Sequence, residues 1–282
     1  MTMPEGDFDA IRKTGTARVT EIVNPLTIKL DDGRFIHLAG LDFPDLDYYD
    51  PGDLSVTAVE ILEDFLKGKT VDIYQTVSTK EGRLNRLGHH IAHLQRTDNH
   101  VWVQGLLLSL GVARVRTTGY NPDMAKQMLT LEDQARKTKA GLWNIDDYHV
   151  LLPEQAQGHI GSYQIIEGTV RSVSMHKNRI YLNFGQNWKE DFTVSMSAFD
   201  LKKFTQHKID PQKWNGKHLR VRGWIESYNG PYMQIDHPER FEALFETDHT
   251  AINEKEPEQE PQRSTPKTIK TDGSSALPAF NN

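Results

Sequence analysis

Asp42 and Asp45 flank Pro44 at the end of an alternating run, "FIHLAGLDFPD". Two carboxylates three residues apart in a stiff turn could hold a divalent cation or activate a water; aspartate there can equally cap the turn by bonding nearby backbone. Lys80, Arg83, Arg86, Arg114, Arg116 and the run "ARKTK" at 135–139 would attract phosphate, or serve as ordinary solvated charge. Arg220, Arg222 and Trp224 alternate along "KHLRVRGW" and so share one side of a strand, a pairing of cations with an aromatic that suits a single nucleic-acid strand. Tyr181, Phe184, Trp188, Phe192, Tyr228 and Tyr232 surround that stretch in sequence and could be either stacking platform or core. The chain has no cysteine, which excludes disulfides, thiolate catalysis and cysteine-ligated zinc or iron–sulfur centres.

These residues need a scaffold, and the periodicity supplies one. "ARVTEIV" and "TIKLDDGRFIHLAGLDFPD" alternate as strands, interrupted by Asn24-Pro25-Leu26, where proline removes a ladder donor and marks a turn or bulge. Asp32-Gly33 suits a type I′ hairpin turn. Leu54, Ala58, Ile61, Leu62, Phe65 and Leu66 recur at helical spacing, with Gly68 as the stop. "TVDIYQTV" and "HHIAHLQ" are further strands, "VWVQGLLLSLG" a short apolar helix, and "MAKQMLTLEDQARKTKAGLW" a longer amphipathic one. His90 and His93 lie on the "HHIAHLQ" strand, and neither is placed as an obvious ligand. After a connector at 147–161, a second strand-rich block begins at 162 and runs to 245, with a helix in "SAFDLKKFTQHKI"; its order suits a five-stranded Greek-key barrel, although a sandwich of two sheets fits as well. From 246 to 282 the chain is rich in Pro, Glu, Ser and Thr and should be disordered.

A formal net charge of −6 argues against a generic basic nucleic-acid binder, though not against a local basic groove, because the acidic tail carries part of that total. No apolar run approaches the roughly 18 residues of a membrane span, and residues 1–16 are polar with no leader-like apolar segment. Membrane insertion is not expected. The chain reads as soluble, cytoplasmic by default, and periplasmic or secreted if a longer precursor supplied a leader.

Residues 17–146 resemble the thermonuclease family, of which staphylococcal nuclease is the type. The resemblance rests on "VTEIVNPLTIKL", "IHLAGLDFPD", "NRLGHHIAHL", "VQGLLLSLGVARV" and "AGLW", in that order. It implies a mainly β fold with helices (α+β): an OB-type barrel, followed by an accessory, OB-like second barrel. The family cleaves DNA and RNA with calcium, using carboxylates for the metal, a carboxylate for water and two arginines for the phosphate. By that resemblance, Leu26 stands where a metal carboxylate belongs, Asp42 keeps the second ligand position, and Asp45 takes the water-activating place one methylene short. His37 and His89 stand where the two arginines belong, and neither can make a bidentate phosphate clamp. If the barrel closes as in the family, His37, His89, Asp42 and Asp45 converge on one pocket, a donor set suited to zinc, manganese or iron more than to calcium. The expectation is therefore a binding protein on a nuclease fold, for single-stranded nucleic acid, another anionic ligand or a protein partner. The competing expectations are a metal-dependent phosphodiesterase and a purely structural interaction module.

Overall fold

The computed structural model describes residues 3–47, 49–77, 81–187 and 190–245. Lys80, Trp188 and the tail expected to be disordered lie outside them. In the first half the strands are β1 (Ile11–Asn24), β2 (Thr27–Leu30), β3 (Phe35–Leu38), β4 (Leu41–Asp42), β5 (Thr70–Thr76), β6 (His90–Arg96) and β7 (Arg114–Val115). The helices are α1 (Asp53–Leu66), α2 (Val103–Ser109) and α3 (Ala125–Lys137).

β1, β2, β3, β6 and β5 pair in that order and close into a barrel. Closure depends on the long β1, which bonds β2 along one part and β5 along another, and on a parallel pairing of β3 with β6. Alternation puts Val19, Ile28, Leu30, Ile36, Leu38, Val71, Ile73 and Leu94 inside, where α1 and α2 cover them with Leu62, Leu66 and Leu107. α1 ends as its pattern requires: Lys67 caps it and Gly68 follows at φ +76°, a conformation that a side chain would strain. Asn24 and Thr27 pair across the β1–β2 turn, so Pro25 and Leu26 form the turn itself. The β2–β3 connection differs from the expected two-residue type I′ turn. Its residues 31–34 make a four-residue loop in which Gly33 has positive φ and Asp32 does not; Asp32 instead accepts a hydrogen bond from the Arg34 amide at 3.0 Å.

The second half contains β8 (Tyr163–Thr169), β9 (Ser172–His176), β10 (Arg179–Asn183), β11 (Thr193–Met196), α4 (Ala198–Gln206), β12 (His218–Trp224), β13 (Glu226–Ser227), β14 (Pro231–Gln234) and β15 (Phe241–Ala243). They form a five-stranded sheet, β13-β14-β11-β10-β9, and a three-stranded sheet, β15-β12-β8. Both wrap one core that includes Ile166, Leu182, Phe192, Val194, Phe204, Val221 and Met233, a barrel-like OB arrangement. The connector is packed more closely than its lack of periodicity suggested. Leu151 and Ala156 are buried, and the Leu151 amide donates to Ile165 C=O on β8 at 2.9 Å. Both sets of strands belong to one compact unit.

Candidate functional site

The β1–β2 turn is held by Asn24, whose Oδ1 accepts the Leu26 amide at 2.9 Å. Leu26 turns its side chain onto the barrel core, and its carbonyl accepts the Leu38 amide at 2.9 Å. His37 faces Thr27 across the β2–β3 ladder, and His89, just before β6, stacks on Phe35 with ring centroids 5.1 Å apart. Burial, together with the nearby His89 and Arg116, holds the His37 imidazole below its ordinary pKa, which keeps it neutral at pH 7.

Asp42 is buried at the end of β4, directly opposite Arg114 in the short β4–β7 ladder. Its Oδ2 accepts from Arg114 Nη2 at 2.8 Å and from Nε at 3.2 Å, and its Oδ1 accepts from Arg116 Nη1 at 3.2 Å. Two guanidinium groups therefore hold one carboxylate. Arg114 also donates to Tyr163 C=O at 3.0 Å, and the guanidiniums of Arg114 and Arg116 sit 5.6 and 5.1 Å from the Tyr163 ring. The arginines expected to attract phosphate are thus joined to Asp42 and to the second half of the chain.

Asp45 is committed elsewhere. Its Oδ2 accepts the Leu54 and Ser55 amides at 2.8 and 3.3 Å, and its Oδ1 accepts the Ser55 hydroxyl at 2.7 Å. The donors are the first amides of α1, which have no intrahelical acceptor, and the N-terminal end of a helix favours a negative charge. Gly52 occupies the N-cap position without a side chain to offer, and a Cβ there would overlap the Asp45 carboxylate. Asp45 therefore caps the helix from eight residues before its start. Asp45→Ala should destabilise the protein by about 1–2 kcal/mol in a urea melt, while Asp45→Asn, which retains an acceptor oxygen, should lose less.

His37, His89, Asp42 and Asp45 do not assemble into the expected metal set. Among the described residues no group of three or more histidine and carboxylate side chains is gathered closely enough to hold a metal ion. The other expected ligand residues are scattered. Arg83 Nε donates to Thr76 C=O at 3.0 Å, and Arg86 is exposed on the loop before β6. Arg220 is paired with Glu167 and Glu242 at 2.6 and 2.8 Å. Arg222 is fully buried against Glu132 of α3 and Glu242 of β15, at 2.8 and 2.5 Å, while Trp224, two residues on, is 48% exposed. The alternation placed these three on one side of β12 correctly, but there Glu132 of α3 closes over Arg222, so Arg222 is a strut between the two halves and not part of a ligand surface.

Val115 ties this seam to the mouth of the barrel. Its amide donates to Glu132 Oε1 at 3.1 Å, and its carbonyl accepts from Arg222 Nη1 at 3.1 Å and from the Tyr163 hydroxyl at 3.3 Å. The segment carrying Arg114 and Arg116 is thereby fixed from both sides. Nothing in the sequence announced the Asp42 clamp, because its partners lie more than 70 residues downstream.

No curated protein matches the chain. Residues 36–145 match the family model described as staphylococcal nuclease homologue. The match begins in β3, so β1, β2 and the turn carrying Leu26 precede it. With the five-stranded barrel closed and its helices in the expected order, this part of the chain is a domain like that of the staphylococcal nuclease homologues.

Proposed function

We propose that the chain is a non-hydrolytic binding protein built on the nuclease fold, and that the mouth of its first barrel takes an anionic ligand, nucleic acid foremost. The supporting observation is the clamp on Asp42: both of its oxygens are engaged by Arg114 and Arg116. Calcium needs six to eight oxygens, several of them anionic. Here one carboxylate is neutralised by two guanidiniums, the other caps a helix, and the residue at the turn is Leu26, so the residues do not fit calcium.

The same exchange changes the charge presented to solvent. Asp42 is buried, whereas the Arg116 side chain is 47% exposed and lies beside His37. A mouth that in the family attracts a cation here favours an anion. The phosphate grip is altered too. Removing one preorganised donor from a reacting centre costs about 10²–10³-fold in rate, and by resemblance two arginines have become the shorter His37 and His89.

The test is to incubate pure protein with single-stranded DNA and RNA in calcium, magnesium, manganese or zinc, and to measure oligonucleotide retention as salt is raised. Expected are no cleavage above buffer in any metal and an affinity that falls steadily with salt. Calcium-dependent cleavage that Asp42→Ala abolishes would overturn the proposal.

A further inference from the structure

The five-stranded sheet of the second half turns one face to the apolar core and a polar, concave face outward, with Asn183, Thr193, Ser195 and Tyr232 recessed at its centre. Register places the outward side chains in rows. Ser172, Asn183, Thr193 and Tyr232 face one another across β9, β10, β11 and β14, and Ser174, Tyr181, Ser195 and Gln234 form the next row. Ser172, Ser174, Tyr181, Asn183, Thr193 and Tyr232 of these rows, with His176 and with Tyr228 and Asn229 from the β13–β14 hairpin, line a concavity of about 630 Å³, within the range of small-ligand sites. Its floor is polar and crossed by hydrogen bonds. Asn183 Nδ2 donates to Ser172 Oγ at 3.0 Å, and the Thr193 hydroxyl donates to Asn183 Oδ1 at 3.1 Å. Tyr232 bonds Ser195, and Arg179 Nη1 donates to both hydroxyls, at 3.2 and 2.9 Å. Tyr228 is 60% exposed and leans on Tyr232 with ring centroids 5.4 Å apart, which leaves a ring face open.

The cations identify the ligand. Arg171 precedes β9, Lys177 sits in the β9–β10 turn, and Arg179 opens β10 on the outward side. Among the described residues none of the three has a carboxylate within ion-pair distance, whereas Arg114, Arg116, Arg136, Arg220 and Arg222 are all paired. Glu226 lies at the opposite edge, on β13. A neutral sugar would use the floor and leave the cations idle. A single nucleic-acid strand uses both, since its bases stack on open tyrosine faces and its phosphates meet the cations.

We propose that this outer sheet face binds single-stranded nucleic acid, with Tyr181 and Tyr228 stacking bases, Asn183 and Thr193 bonding base edges, and Arg179 on the outward side of β10, with Lys177 in the adjoining turn, meeting phosphates. It is separate from the mouth of the first barrel and rests on different residues.

The experiment titrates the full chain with labelled deoxythymidine and uridine 12-mers, an abasic strand of equal length, and a neutral oligosaccharide. Expected is binding of both 12-mers, weakened five- to a hundredfold by Tyr181→Ala or Tyr228→Ala, in line with the loss of one stacked base. Arg179→Gln should lower the salt slope by about one. Tyr181→Phe, which keeps the ring, should restore most of the affinity that Tyr181→Ala loses, and a urea melt of each alanine variant checks that it is folded. Equal affinity for the abasic strand, capture of the oligosaccharide in place of the 12-mers, or no binding of the 12-mers would overturn the assignment. If His37→Gln and Arg116→Gln abolish binding while both tyrosine variants leave it intact, the mouth of the first barrel is the site and the sheet face is not.

Discussion

Arg222→Ala is expected to lower the unfolding free energy by about 3–5 kcal/mol, read from the urea midpoint at constant slope. Burial works against the charge on Arg222, but Glu132 and Glu242 more than offset it and hold the guanidinium above its ordinary pKa. Removing it leaves Glu132, which is fully buried, with Arg136 Nη1 at 3.9 Å as its remaining cation. An uncompensated buried carboxylate is the costliest residue of such a change, so the loss should exceed that of Glu132→Gln. Glutamine keeps the acceptor for the Val115 amide and leaves Arg222 with Glu242. The double variant Arg222→Ala, Glu132→Gln should recover part of the loss, and with the two single variants and the unaltered protein it closes a cycle that gives the coupling directly. A structural effect confined to the second half would leave the barrel mouth unchanged. Here Val115 is shared by the seam and the clamp, so Arg222→Ala should also loosen Arg114 and Arg116 and weaken any ligand bound at the mouth.

Local signals carried the elements well and the partners poorly. Helical spacing and a positive-φ glycine placed α1 nearly to the residue, because those features act within a few residues of chain. The β1–β2 turn was readable for the same reason: Pro25 cannot donate, and the Asn24 side chain closes the turn on Leu26. Parity put Arg220, Arg222 and Trp224 on one side of β12, yet strand alternation says which side a residue takes and not what lies over it. What lies over Arg222 is Glu132 of α3, 90 residues earlier in the chain. Asp45 escaped for a similar reason. A capping side chain is sought just before the helix, and here Gly52 holds that place while Asp45 reaches in from a separate turn. The sheet face that we propose as a nucleic-acid site was also readable in outline, since Ser172, Ser174, Asn183 and Thr193 alternate with apolar residues. Single hydroxyl residues carry little signal one by one; cross-strand register turns them into a surface.

His93 should make the protein sensitive to mild acid. It is buried on β6, and the Trp102 indole N–H donates to its Nδ1 at 3.3 Å, so that nitrogen is an acceptor and the ring is neutral. Burial depresses its pKa from 6.5 to about 3, and protonating Nδ1 would set two donors against each other. Between these two values the unfolded chain binds a proton that the folded chain refuses. Stability therefore rises with pH across that window, and it falls on acidification by about 1.4 kcal/mol per unit below pH 6.5. By pH 4.5 the loss should reach about 2–3 kcal/mol, before the depressed carboxylate Asp236, whose pKa lies at about 2, begins to contribute. His37 and His90 are depressed as well and add in the same direction. His93→Gln offers the Trp102 N–H a neutral acceptor that does not titrate. The variant should flatten most of the slope between pH 6.5 and 5 in urea titrations, leaving the part due to His37 and His90. An unchanged slope in that variant would mean that the buried imidazole is not what acid attacks.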